Sequence, residues 1–97
     1  MEREQALKLL SNHLPEIRRR FDVESLAIFG SFARGEPGPE SDLDILVTYV
    51  RTPGFFGFLD LKEYLEHLLG RPVDLVTPNA LRERLRERIL LEAVRVN

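Results

Sequence analysis

The stretch Phe29–Val47, FGSFARGEPGPESDLDILV, decides how this chain folds. Gly30-Ser31 is followed by ten residues and then by Asp42-Leu43-Asp44, which opens an apolar run. The chain has five aspartates, and two of them stand one residue apart at the mouth of what reads as a buried strand. Residues two apart in a strand project to the same face, so Asp42 and Asp44 lie side by side, with Cα atoms roughly 6.5–7 Å apart. Leu43 and Ile45 point the other way. Two carboxylates that close repel, and partial burial raises their pKa values. A divalent cation removes the conflict, and hard oxygen ligands suit Mg²⁺, whose shell substrate phosphates commonly complete. A D-x-D pattern is also common at strand ends in water, so alone it is a weak sign.

Two further features point the same way. Asp74, in RPVDLVTP (71–78), is a single carboxylate between valine and leucine. Such a group is costly in a strand unless it lies on a polar face or meets a cation. Gly30 lets backbone approach a ligand closely. If Ser31 starts a helix, the free N–H groups there form a phosphate site; serine as an ordinary N-cap is the plainer reading and is compatible with it.

The flanking segments give the frame. Residues 3–21 place Leu7, Leu10, Leu14, Ile17 and Phe21 at helical spacing, with a kink or division expected at Pro15. Ser25–Phe29 reads as a first strand, and Ser31–Gly35 as one or two helical turns. Glu36–Ser41 has loop chemistry, and Asp42–Val50 is the second strand, broken by Thr52-Pro53-Gly54. A helix at 55–69 carries Leu59, Leu61, Leu65, Leu68 and Leu69 and closes on Gly70 as C-cap. Pro72–Val76 is a third strand. Thr77-Pro78 reads as the start of a last helix that runs to Val94, with Leu81, Leu85 and Ile89 at its spacing and its charges on a solvated face. The order is α-β-α-β-α-β-α, with no internal repeat or linker, hence an α/β chain of the α+β type.

Composition bounds the function. Ninety-seven residues make one domain, 1–97, able to bury roughly 60–65% of its unfolded surface. With 43% hydrophobic and 31% charged residues it belongs to the ordinary globular class. The absence of cysteine excludes disulfides and thiolate metal sites. No cleavable signal pattern or membrane-length apolar run is present, so a cytoplasmic location without membrane binding is expected. A net charge of −2 argues against bulk electrostatic nucleic-acid binding. Rival phosphate motifs fail: Gly30 and Gly35 have P-loop spacing, but Glu36-Pro37 stands where Lys-Ser/Thr is needed, and there is no G-x-G-x-x-G. His13 and His67 fall on separate helices, where surface or core roles outweigh metal ligation.

Geometry then implies topology. For one phosphate to touch both Gly30-Ser31 and Asp42/Asp44, the first two strands must run antiparallel. For Asp74 to join them, the third strand must run parallel to the second, with the helix at 55–69 as crossover. The expected sheet is small, mixed and flanked by helices.

These residues are familiar as a set. GSFARGEPGPESDLDILV resembles the signature of the DNA polymerase beta-like nucleotidyltransferases, and RPVDLVTP resembles that superfamily's third-carboxylate strand. The likeness spans nearly the whole chain and is nearest to the minimal nucleotidyltransferases, short proteins often paired with a HEPN-domain partner as antitoxins. The resemblance implies a polymerase beta-like core and nucleotidyl transfer. It implies two Mg²⁺ ions held by Asp42, Asp44 and Asp74, with ATP as substrate. Asp74 becomes the candidate to receive the acceptor's proton. Gly30, Ser31 and the amide after Gly30 would hold the triphosphate, and Arg34 is either a phosphate contact or a surface arginine. Larger relatives carry a substrate-binding domain, so the acceptor is expected to come from another chain or to bind at a homodimer interface. The first expectation is AMP transfer to a tyrosine of a HEPN ribonuclease toxin. The alternatives are an aminoglycoside-like small-molecule acceptor at a dimer, or a non-catalytic module that sequesters its partner. Phe55, Phe56 and Phe58 form either a contact patch or part of the core.

Overall fold

The first predicted helix forms as α1, Arg3–Phe21. Its start is a capping box in which the Glu2 amide donates to Gln5 Oε1 at 2.9 Å. Of the kink or division expected at Pro15, the division does not occur. The proline is exposed, while Leu10 and Leu14 before it and Ile17 after it are buried. Core anchors on both sides of the proline keep the helix continuous where the Ser11 carbonyl loses its helical donor. The computed structural model of the chain describes residues 1–35 and 42–97; the expected loop Glu36–Ser41 lies outside the described residues.

Asp22, in the left-handed region at φ 54°, ends α1 and turns the chain into β1, Val23–Phe29, which begins two residues earlier than its apolar run suggests. A single helical turn, α2 (Gly30–Ala33), follows at once. Its N-cap is Phe29, so Ser31 lies inside the turn rather than capping it. Next come β2 (Leu43–Tyr49), α3 (Phe55–Leu69) and β3 (Val73–Val76). Gly70 closes α3 at φ 67°, donating its N–H to the Glu66 carbonyl at 2.8 Å, as the Gly-x-Pro pattern predicts.

The predicted last helix is two pieces. A 3₁₀ turn, Pro78–Ala80, breaks off at Leu81, and α4 spans only Glu83–Glu92. Ala93 returns to extended backbone, and Val94–Arg95 form β4, a strand absent from the expected order. Val96 is 1% exposed, so burial of the valine rather than helical periodicity sets this end of the chain.

The sheet order is β3-β2-β1-β4. β1 is antiparallel to β2 and to β4, and β2 is parallel to β3, so the mixed topology expected for the first three strands is present. Leu26 and Ile28 of β1, Leu43, Ile45 and Val47 of β2, and Val73 and Leu75 of β3 share one core cluster with the buried residues of α1 and α3. α1 and α3 lie side by side, with the Phe21 and Tyr64 rings 5.3 Å apart and Tyr64 donating to Glu16 at 2.8 Å. Alternation along β2 and β3 turns Asp44 and Asp74 to the other face. None of the helices among the described residues is long and apolar enough to cross a membrane.

Candidate active site

The register of β2 on β3 pairs Asp44 directly with Asp74. Parallel neighbours lie about 4.8 Å apart, so the nearest acidic neighbour of Asp44 is Asp74 and not Asp42. Asp42 sits just before β2 and is exposed, as is Asp74; Asp44 is half-buried. The other neighbouring strand supplies the wall. β1 pairs Phe29 with Asp44, so the chain turns into α2 over the Asp44 carboxylate.

Gly30 is what allows this. Its φ is +71°, a conformation that costs a side-chain-bearing residue roughly 1–2 kcal/mol. A Cβ there would also overlap Asp44 Oδ2 and stand 3.1 Å from Asp44 Cγ. The backbone of the Gly-Ser turn therefore packs onto the carboxylate with no room between. The first amides of such a turn have no intrahelical acceptor, and Gly30 seats the turn against the Asp44 carboxylate. Ser31 is part-exposed in this turn.

Crowding shows in the electrostatics. Burial pushes the Asp44 carboxyl from 3.8 up to about 6, helped by the charge of Asp74, a hydrogen bond between the two carboxyls and the charge of Asp42; the Arg34 guanidinium pulls the other way. A hydrogen bond between two carboxyls needs a proton on one of them. Asp44, Asp74, Asp42 and Arg34 thus act on one spot, together with Gly30. The contact is tightest between Asp44 and Asp74. Among the described residues no group of three or more acidic, histidine or cysteine side chains is already gathered as a metal cage. The donor set nevertheless fits a hard divalent cation, because it consists of carboxylate oxygens whose mutual repulsion a cation would relieve in place of a shared proton.

A pH effect follows, and its sign is set. The folded chain holds the Asp44 proton more tightly than the unfolded chain does. That contribution to stability is complete below about 3.8 and is lost as pH rises through about 6. In chelator, the melting temperature of Asp44→Asn is therefore expected to rise relative to the unsubstituted chain across this interval and to level off above it. A difference that stays flat or narrows would contradict the crowded geometry.

Two side chains that the sequence gave no reason to single out border the site. Arg71 precedes β3, where the Leu43 amide donates to the Pro72 carbonyl at 3.0 Å, and its guanidinium lies over the buried Phe32 ring at 4.8 Å. Glu92, at the end of α4, pairs with Arg34 at 3.5 Å. The histidines stand apart. His13 Nδ1 is 2.9 Å from the Leu9 carbonyl, and His67 is exposed beside Glu63. Phe55 and Phe56 are 69% and 79% exposed and pack edge to face, which favours the contact-patch reading for them, whereas Phe58 packs against the core. A concavity of about 710 Å³, lined by Arg20, Phe21, Asp60, Tyr64 and His67 among others, holds none of the clustered aspartates Asp42, Asp44 and Asp74. Chemistry follows the convergence of charge, so the acidic edge and not this hollow is the candidate site.

Residues 10–97 match the family model of the nucleotidyltransferase domain. The chain belongs to the nucleotidyltransferase family. This nucleotidyltransferase is 42% identical over 93 residues to the protein adenylyltransferase MntA of Thermococcus cleftensis, covering 96% of this chain and 94% of that one. Its structure is similar to that of a protein designated a candidate minimal nucleotidyltransferase, with a TM-score of 0.82 and 37% identity over 97% of this chain and 95% of the other. It shares the fold of a chain in the complex of a tri-AMPylated Shewanella oneidensis HEPN toxin with its MNT antitoxin. There the TM-score is 0.66 and the identity 20%, covering 94% of this chain and 71% of that one. Family membership makes the chain a transferase.

Proposed function

We propose that this nucleotidyltransferase moves AMP from ATP to a tyrosine hydroxyl of a HEPN-type toxin, and so serves as the antitoxin of the pair. The observation that carries the reading is the in-register contact of Asp44 with Asp74 beneath the Gly30 turn. Support for the acceptor class comes from the adenylyltransferase name of the Thermococcus relative and from the AMPylated toxin in the Shewanella complex.

In this reading Asp42, Asp44 and Asp74 would hold Mg²⁺, two ions by resemblance to the superfamily. When bound, the metal supplies charge neutralisation and a polarised acceptor oxygen. The chain's own residues do the rest. The amides of the Gly30-Ser31 turn and the Ser31 hydroxyl hold the triphosphate against the acidic edge, and Arg34 offsets its charge. The acceptor oxygen attacks the α-phosphorus, the bond from that phosphorus to the bridging oxygen breaks, and pyrophosphate leaves with the electron pair. Asp74, exposed on its strand, takes the acceptor's proton, while half-buried Asp44 stays fixed by its neighbours. Positioning and electrostatics carry most of such a transfer, since no covalent enzyme intermediate is needed.

The test uses ATP labelled at either the α- or the γ-phosphate, Mg²⁺, the purified chain and the product of the neighbouring gene. The α-label is expected on the partner protein and the γ-label in pyrophosphate. Label confined to small molecules would move the acceptor to the aminoglycoside-like class. Inhibition of the partner without label on anything would leave only sequestration.

A further inference from the structure

α4 is an unusual helix for so small a domain, since none of its described residues is buried and Leu85, Leu90 and Leu91 are 50%, 49% and 88% exposed. A core of its own does not hold it. What ties it to the site is its last residue. Glu92 Oε2 lies 3.5 Å from Arg34 Nη1, and Glu92 Oε1 lies 3.5 Å from Arg88 Nε, so each carboxylate oxygen faces one arginine. Arg34 caps α2, the turn that begins at Gly30.

The Arg34–Glu92 pair is too exposed to matter much for folding, with side chains 49% and 32% accessible; pairs of this kind are worth about 1 kcal/mol or less. What it does fix is direction. An unrestrained arginine has many rotamers and loses that freedom on binding a ligand. An arginine already held by a carboxylate presents a planar fork at a set place. The Arg34 amide donates to the Gly30 carbonyl at 3.1 Å, and Gly30 packs on the Asp44 carboxylate, which puts that place one helical turn from Gly30-Ser31 and the acidic edge.

We propose that Glu92 is a positioning residue that holds the Arg34 guanidinium toward the triphosphate entering at Gly30-Ser31. The inference rests on the nucleotide site described above, and it adds α4 to that site through one carboxylate. A competing sign makes it testable. By charge alone, removing Glu92 would strengthen binding of a polyanion. By positioning, removing it weakens binding.

The measurement is the dissociation constant, with Mg²⁺ present, for α,β-methylene-ATP and for AMP, on the whole chain. Glu92→Gln is expected to weaken the triphosphate about fivefold and to leave AMP and the melting temperature nearly unchanged. Arg34→Ala is expected to weaken the triphosphate about tenfold or more, and the double variant is expected to be no weaker than Arg34→Ala. If Glu92→Gln binds the triphosphate as tightly or more tightly while Arg34→Ala binds it more weakly, the positioning role is wrong and the site stands. If the two substitutions add, Glu92 acts by another route and the proposal also fails. If Arg34→Ala changes nothing, Arg34 is no phosphate contact, and the role given to Glu92 falls with it. Losses that extend equally to AMP would mark general damage and overturn the proposal.

Discussion

Asp44→Asn is expected to lower AMP transfer by about a thousandfold or more, with the fold retained. Three observations set the size of the effect. Asp44 is the member of the acidic group enclosed on both sides, by Asp74 in register on β3 and by the Gly30 turn from β1. It is half-buried, so water cannot replace a lost carboxylate oxygen as readily as at exposed Asp42 or Asp74. Asparagine keeps the shape and one acceptor oxygen but removes the charge, so the loss reads electrostatics and not packing. The variant is also expected to melt no lower than the unsubstituted chain at pH 7, because it abolishes an ionisation that the folded state resists. Activity and stability should thus move in opposite directions. Quantitative transfer assays and thermal melts on the same preparations check both. A variant that loses activity only because it unfolds would show both falling together.

The second large effect is at Gly30. Gly30→Ala is expected to reduce transfer by about a hundredfold and to destabilise the chain by about 1–3 kcal/mol. The new methyl group meets the Asp44 carboxylate while the backbone holds φ +71°, so either the turn lifts or the carboxylate swings away. Both movements separate the phosphate cradle from the acidic edge. Gly35 is the internal control. It has φ +74° but, among the described residues, nothing within 4 Å of a Cβ, so Gly35→Ala should cost about 1 kcal/mol of backbone strain and leave transfer largely intact. Denaturant unfolding and single-turnover transfer measured on both variants separate strain from collision. Equal loss of activity in the two would deny the close approach of Gly30 to Asp44.

How much of this was legible depends on the element. The Asp42–Val50 run showed β2 and the face of Asp44, because strict alternation leaves a carboxylate only one side of a half-buried strand. The relative directions of β1, β2 and β3 followed from requiring Gly30, Asp44 and Asp74 to meet, and the pairing agrees. The in-register partnership of Asp44 with Asp74 was not legible. It depends on how far α3 carries the chain before β3 begins, which local pattern does not encode. β4 was hidden for a different reason. Leu81, Leu85 and Ile89 keep helical spacing up to the point where two residues pair with the β1 edge, and a strand that short has no period. The same spacing promised a packed helix, yet Leu85 is half exposed, since periodicity shows that a helix has an apolar side and not that something covers it. At Pro15 the helix is not divided, because tertiary burial anchors it on both sides of the proline. Glu92 carried no signal, because a carboxylate in a run of arginines and glutamates looks like any other solvated charge.

Divalent-metal binding, read by the electron paramagnetic resonance of Mn²⁺ titrated into the chain with α,β-methylene-ATP, is the most direct test of the claim that these aspartates form one metal–nucleotide site. The account predicts nucleotide-dependent Mn²⁺ binding that Asp44→Asn and Asp74→Asn each abolish and that Asp60→Asn, in the hollow beside α3, leaves unchanged. Binding that survives both substitutions, or that Asp60→Asn removes, would contradict it.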